Sequence, residues 1–255
     1  MTWFSGGLLI SLFGLVAGSF FNVCIHRLPH GSSVVVPSSR CPKCGQRIRW
    51  SDNVPILGYV RLRGRCRHCR TAISPTYLIV EIVTPVLFLI QYQDVGFELL
   101  LVPRLFFIGA MIVLLVIDLR HLVVPDVITI PGICIGLLSS CFVRPGLFES
   151  LLGLVAGGTI LLLISEVYYR IRNEVGLGMG DVKMLAMIGA FLGWKLMLVA
   201  LVLASSIGSI VGVGMIIAAR ADSKSALPLG AFLAAASIGV TVVGEPLIVW
   251  YMSFY

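Results

Sequence analysis

The chain has 255 residues, 58% of them hydrophobic and only 12% charged, with a mean hydropathy of +1.01. A charged fraction about half that of an average soluble domain excludes an ordinary water-soluble globule and points to a polytopic membrane protein. The net charge of +7 is not read as a nucleic-acid signal, because basic residues of membrane proteins gather in cytoplasmic loops.

The first apolar run extends from Met1 to Ile25, with no Lys or Arg before it and Arg27 just after. That order predicts an uncleaved anchor with its amino terminus outside. A helix needs about 20 apolar residues to cross the hydrocarbon core. On that measure the sequence predicts an all-α polytopic fold of about eight transmembrane helices, near 4–25, 76–92, 99–117, 127–143, 151–169, 183–195, 196–219 and 229–250. The sixth is short, with Gly193-Trp194-Lys195 behind it, and is expected to be tilted or partly re-entrant. This arrangement puts 16 of the 19 basic residues inside: ten from Arg27 to Arg70, then Arg120, Arg170, Arg172, Lys183, Arg220 and Lys224. Arg104, Arg144 and Lys195 fall outside. Such a bias places Asp118, Asp126, Asp181 and the long loop at 27–75 on the inner side.

That loop reads CPKCG at 41–45 and CRHC at 66–69. Two C-x2-C turns can each point two thiolates at one ion, and together they complete a tetrahedral zinc site on Cys41, Cys44, Cys66 and Cys69. Four thiolates leave no open position, so the metal is expected to be structural. A polar loop of this composition buries little core, and metal binding supplies the missing folding energy. Cys24, Cys134 and Cys141 lie in apolar segments and are expected to be buried small hydrophobes. Glu81 sits one turn inside the second span, where an interhelical hydrogen bond, a substrate contact or a polar lining for the cysteine loop would each account for it.

Asp118 closes the third span, at the negative end of a helix dipole and beside hydrocarbon, where an ionisable group is costly and usually functional. Asp126 follows Pro125 and is explained by capping of the next helix. Asp181 also begins a helix, but Gly178 and Gly180 before it permit unwound backbone and close approach of another chain. Two aspartates sharing a proton can activate water and protonate a leaving amine. By dipole alone, Asp118 is expected to hold the proton and Asp181 to act as base. The pairs Gly153/Gly157, Gly189/Gly193 and Gly208/Gly212 recur at four-residue spacing and are read as close helix packing.

With those residues in view, the sequence resembles the bacterial type IV prepilin peptidases, membrane aspartyl proteases of the GxGD class. The resemblance rests on GSFFNVCIHRLP at 18–29, the cysteine tetrad, IDLRHLVVPD at 117–126, GLGMGDVK at 176–183 and PLGAFLAAAS at 228–237, with Ala231 where a proline is usual. It implies that Asp118 and Asp181 cleave the basic leader of prepilins or pseudopilins after a glycine, at the cytoplasmic side of the bacterial inner membrane. It further implies methylation of the new amino terminus with S-adenosylmethionine, through cofactor contacts that no motif here assigns. By this resemblance residues 1–98 form a methyltransferase-associated region and residues 99–255 the peptidase domain. Membrane lipids are the other expected partner. The alternatives are a peptidase without methyl transfer, or a zinc-stabilised scaffold or transporter, which midplane carboxylates would favour.

Overall fold

The computed structural model describes residues 3–36, 38–174, 176–218 and 227–252. Arg220 and Lys224, assigned above to the inner face, lie outside the described residues, as does the last residue of the seventh span. The described chain is helical, with no strand among the described residues and two isolated β-bridges, Arg40–Arg47 and Arg65–Ala72. It divides into two compact units, Met1–Phe97 and Glu98–Tyr255.

In the first unit, helix α1 (Trp3–Arg27) packs on α3 (Pro75–Val95). Small residues let the two backbones approach. A methyl on Gly14 would stand 2.5 Å from Pro85 Cα, and one on Gly18 would stand 3.1 Å from Glu81 Cα. Asn22 Nδ2 donates to the Tyr77 carbonyl at 3.0 Å and closes the end of the pair next to the connecting loop. The start of α3 follows from local sequence: Ser74 Oγ accepts from Thr76 N–H at 3.4 Å, and Pro75 needs no partner in the first turn. The connecting loop holds two short 3-10 turns, Leu28–His30 and Trp50–Asp52, and the five-residue helix α2 (Leu57–Arg61).

The second unit is a bundle of α4 (Leu101–His121), α5 (Asp126–Ser140), α6 (Leu147–Arg172), α7 (Met179–Ile217) and α8 (Leu229–Met252). Helix α4 is apolar on every face and buries Ile108, Met111, Leu114 and Ile117 completely. It packs on α8, while α7 contacts α5, α6 and α8. Between α6 and α7 the backbones nearly touch: a Cβ on Gly153 would fall within the backbone of Gly189, and the reverse holds. One turn along, a Cβ on Gly157 would lie 2.7 Å from the Leu185 carbonyl oxygen. Ser150 Oγ donates to the Ala190 carbonyl across the same seam at 2.8 Å. The packing expected for the Gly153/Gly157 and Gly189/Gly193 pairs is therefore present.

Among the described residues, five helices (α1, α3, α4, α6 and α7) are long and apolar enough to cross a membrane, and α5 and α8 add shorter apolar segments. The chain is a multi-pass membrane protein. The predicted sixth and seventh spans form one 39-residue element, broken at Gly193, whose φ of 76° and ψ of 170° are non-helical. Counted across that break there are eight apolar helical segments. The fourth is shorter than expected: 15 residues rise about 22 Å, against a hydrocarbon core of about 30 Å. Cys24 is buried, but Cys134 and Cys141 are exposed at the bundle surface. Burial within the protein, expected for all three, therefore holds for Cys24 alone.

Gly153→Ala and Gly189→Ala are each expected to destabilise the protein by about 1–3 kcal/mol through overpacking. Gly158→Ala should be neutral or gain up to about 1 kcal/mol of helix propensity, because its methyl meets only Ala186 Cβ at 3.8 Å. Thermal unfolding in detergent checks all three.

Candidate active site and metal centre

The four loop cysteines converge. Their sulfurs all lie within 4.8 Å of one another, and Cys41 Sγ is 3.8 Å from Cys69 Sγ. Tetrahedral zinc with bonds of about 2.3 Å requires sulfur separations of about 3.8 Å, so the donor set fits that ion. Each pair sits in the same local fold. Cys41 N–H donates to the Gln46 carbonyl and Gly45 N–H to the Cys41 carbonyl, both at 2.9 Å. In the second turn, Cys66 N–H donates to the Thr71 carbonyl at 2.8 Å and Arg70 N–H to the Cys66 carbonyl at 3.0 Å. A β-bridge closes each turn. Thr71, which no motif marked, lies 3.3 Å from Cys69 Sγ through its Oγ1. Hydrogen bonds from the Thr71 side chain and backbone bring the Cys69 thiol down to about 6. The Cys44 N–H likewise favours thiolate at Cys41. At Cys44 the Gln46 N–H does not offset burial and the neighbouring sulfurs, and that thiol is pushed up to about 11, so the local fold favours thiolate at two of the four ligands before a metal binds.

Two further contacts hold this loop. Arg67 grips Asp52 with Nε at 2.7 Å and with its NH2 group, and that guanidinium holds the Asp52 carboxyl below its usual range. Glu81 Oε2 accepts from Ile56 N–H at 2.7 Å. Of the three roles open to Glu81, the structure gives it two: the loop attachment, and an interhelical hydrogen bond with the Ser19 side chain of α1. Ile56 has φ 62° and ψ −52°, a costly conformation for a β-branched residue.

In the second unit, Asp118 lies one turn from the end of α4 and is 4% exposed. Leu122 then terminates the helix in left-handed backbone, its N–H on the Asp118 carbonyl at 2.9 Å. Asp181 is the third residue of α7 and half-buried. The two carboxylates meet across Gly230 in the first turn of α8. A methyl built there would stand 3.0 Å from Asp118 Oδ2 and 3.1 Å from Asp181 Oδ1, which bounds the separation of those oxygens at the sum of the two distances. Asp118 Oδ2 accepts from Ala231 N–H at 2.7 Å, one of the donors a helix leaves unpaired in its first turn.

That contact removes the basis for assigning the proton by dipole. Asp118 stands at the carboxyl end of α4 but also at the amino end of α8, so two dipoles oppose one another on it. The glycines also differ from one another. Gly178 is extended, with φ −75° and ψ 140°, whereas Gly180 already lies in the helix, where a Cβ would stand 2.8 Å from Val124 Cβ. Asp126 is not a cap, since Pro125 occupies that position. Its carboxylate instead binds Lys183 Nζ at 2.7 and 2.8 Å. The ion pair and the Gly180–Val124 contact fasten the 122–126 connection to the start of α7. Gly230 and Ala231 lie within the PLGAFLAAAS stretch at 228–237, but the sequence alone ties neither of them to the two aspartates. Their signal was Pro228 opening a helix with two small residues inside its first turn.

Residues 12–95 match the family described as Bacterial Peptidase A24 N-terminal domain, and residues 105–213 match the Type IV leader peptidase family. A prepilin leader peptidase/N-methyltransferase of Pseudomonas aeruginosa is 32% identical over 95% of this chain and 92% of its own length. A protein of the same name from Aeromonas salmonicida is 31% identical, over 96% and 93% respectively. Another from Myxococcus xanthus is 37% identical over 80% of this chain, which spans 62% of that protein's length. No solved structure matches.

Protein purified without chelator is expected to carry a single zinc ion per chain by elemental analysis. Cys44→Ser or Cys69→Ser should lower the metal content and speed hydrogen exchange across 38–73, while α1 and α3 stay protected. Full metal retention in both variants would contradict the site.

Proposed function

The chain belongs to the type IV leader peptidase family, and we propose that it removes the basic leader from prepilins or pseudopilins and then methylates the exposed amine. The observation that carries the proteolytic half is the meeting of Asp118 and Asp181 around Gly230. In this mechanism the two carboxylates work with one proton between them, and they titrate as a pair. The ionised member takes a proton from water as the water oxygen attacks the scissile carbonyl carbon. The protonated member donates to the carbonyl oxygen, and collapse of the tetrahedral adduct passes a proton to the leaving nitrogen. The products are a leader ending in a glycine carboxylate and a pilin with a free amine.

The surroundings support a peptide substrate. Gly178 is exposed and extended, and apart from Asp181 Oδ2 at 3.7 Å and Gly180 N at 4.0 Å a methyl there would meet nothing. An extended segment beside a carboxylate can receive an extended chain through backbone hydrogen bonds. The apolar helix that follows the leader then stays in lipid, and the cut falls at the membrane edge. In this reading the edge faces the cytoplasm of a bacterial inner membrane, consistent with the basic residues on that side.

The second step moves a methyl group from the sulfonium of S-adenosylmethionine to the new amine, which loses a proton. We assign this step to residues 1–98, on the match to the family's N-terminal domain and on the relatives' names. The zinc held by Cys41, Cys44, Cys66 and Cys69 is structural in this account, with no position left for substrate.

Asp118→Asn and Asp181→Asn should each reduce prepilin cleavage by at least about 1,000-fold, measured by gel shift of a purified precursor. Methylation of an already cleaved pilin should persist in both. Gly230→Ala should cut the cleavage rate by about 100-fold through misplacement of the pair, with an unchanged unfolding temperature. Normal cleavage by either Asn variant would overturn the assignment.

A further inference from the structure

The zinc loop carries a charge that neither activity uses. Arg61, Arg63, Arg65, Arg67 and Arg70 line one cavity of about 500 Å³, together with Leu62 and Cys66. Among the described residues, the acid that pairs with one of them is Asp52, on Arg67. A zinc ion with four thiolates would carry two negative charges, which with Asp52 still leaves the arginines in excess. Five like charges around one opening repel unless an anion joins them.

Backbone strain singles out two of the five. In the first cysteine turn, the residue after the second cysteine is Gly45, with φ 69°. The equivalent position in the second turn is Arg70, with φ 58°, and Arg63 has φ 49°. Left-handed backbone suits glycine and costs other residues about 1–2 kcal/mol. The chain keeps arginine at both positions, and both side chains line the cavity.

The same loop exposes apolar surface. Trp50 is 85% exposed, and Leu57 and Val60 on α2 are 67% and 61% exposed. Leu57 and Val60 lie one turn apart on the helix whose last residue, Arg61, lines the cavity. Apolar residues beside a cationic pocket, in a loop entered and left through membrane-crossing helices, are the features of a surface that rests on lipid.

We infer that the arginine cavity binds the phosphate of an anionic lipid headgroup while Trp50, Leu57 and Val60 enter the bilayer edge. The other ligands of this enzyme do not suit the cavity. A prepilin leader is basic, and S-adenosylmethionine, with a sulfonium and an ammonium against one carboxylate, is a net cation. The site is independent of the catalytic assignments above.

The variant Arg63→Gly/Arg70→Gly separates binding from folding, because glycine relieves both strained positions. Wild type and variant, full length in neutral detergent, are titrated with short-chain phosphatidylglycerol, short-chain phosphatidylcholine and inorganic phosphate. Hydrogen exchange of 57–70 and zinc content are followed. Phosphatidylglycerol should protect the wild-type segment, and the variant should bind it about 30-fold more weakly, from about 1 kcal/mol per arginine, with zinc retained. Equal protection by phosphatidylcholine, equal protection by inorganic phosphate, or unchanged affinity in the variant would each overturn the lipid-phosphate site.

Discussion

A carboxylate at the edge of hydrocarbon has lost most of its water, and the protein must supply what water no longer does. For Asp118 the supply is an N–H of the first turn of α8, 2.7 Å from Oδ2. One hydrogen bond thus satisfies a helix end that lacks a partner and an acid that lacks solvent. Everything else in the second unit holds that meeting in place. Helix α4 is buried along its length and so fixes Asp118 rigidly. Glycine at 230 leaves room for a second carboxylate, and α7 brings Asp181 into it. The start of α7 is fastened in turn by Lys183 on Asp126 and by the close approach of Gly180 to Val124.

The first unit meets a different constraint. Its two membrane helices pack through Gly14 and Gly18, but the loop between them has little apolar interior. Order there comes from four sulfurs, from the Arg67–Asp52 pair and from Glu81 on the backbone of Ile56. The last of these ties the loop to a membrane helix through a strained residue. Strain of that kind persists only where the surroundings impose it. A loop built this way has arginine side chains to spare, and five of them line one cavity.

Much of this was legible in the sequence, for physical reasons that differ by feature. Apolar run length marked the spans, and Gly193-Trp194-Lys195 marked the break in α7. The cysteine spacing marked the metal centre because each C-x2-C turn is a local structure. The two aspartates were visible as acids where acids are expensive. What sequence could not supply was the third dimension. Residues 118, 181 and 230 have no local relation, so nothing near Gly230 in the sequence tied it to the two carboxylates. The dipole reading of the proton is incomplete for the same reason, since it counts only the helix Asp118 belongs to and not the one it faces. Asp126 looked like a cap because Pro125 before it and a helix after it are local facts, whereas Lys183 lies 57 residues away.

The central claim is that Asp118 and Asp181 form one site that stabilises a tetrahedral adduct. It is tested most directly by calorimetric binding of a prepilin peptide whose scissile amide is replaced by a hydroxyethylene group. Tight binding to the intact enzyme is expected, with a loss of at least about 100-fold in both Asp118→Asn and Asp181→Asn, as for a transition-state mimic. Affinity that is unchanged in either variant would contradict it.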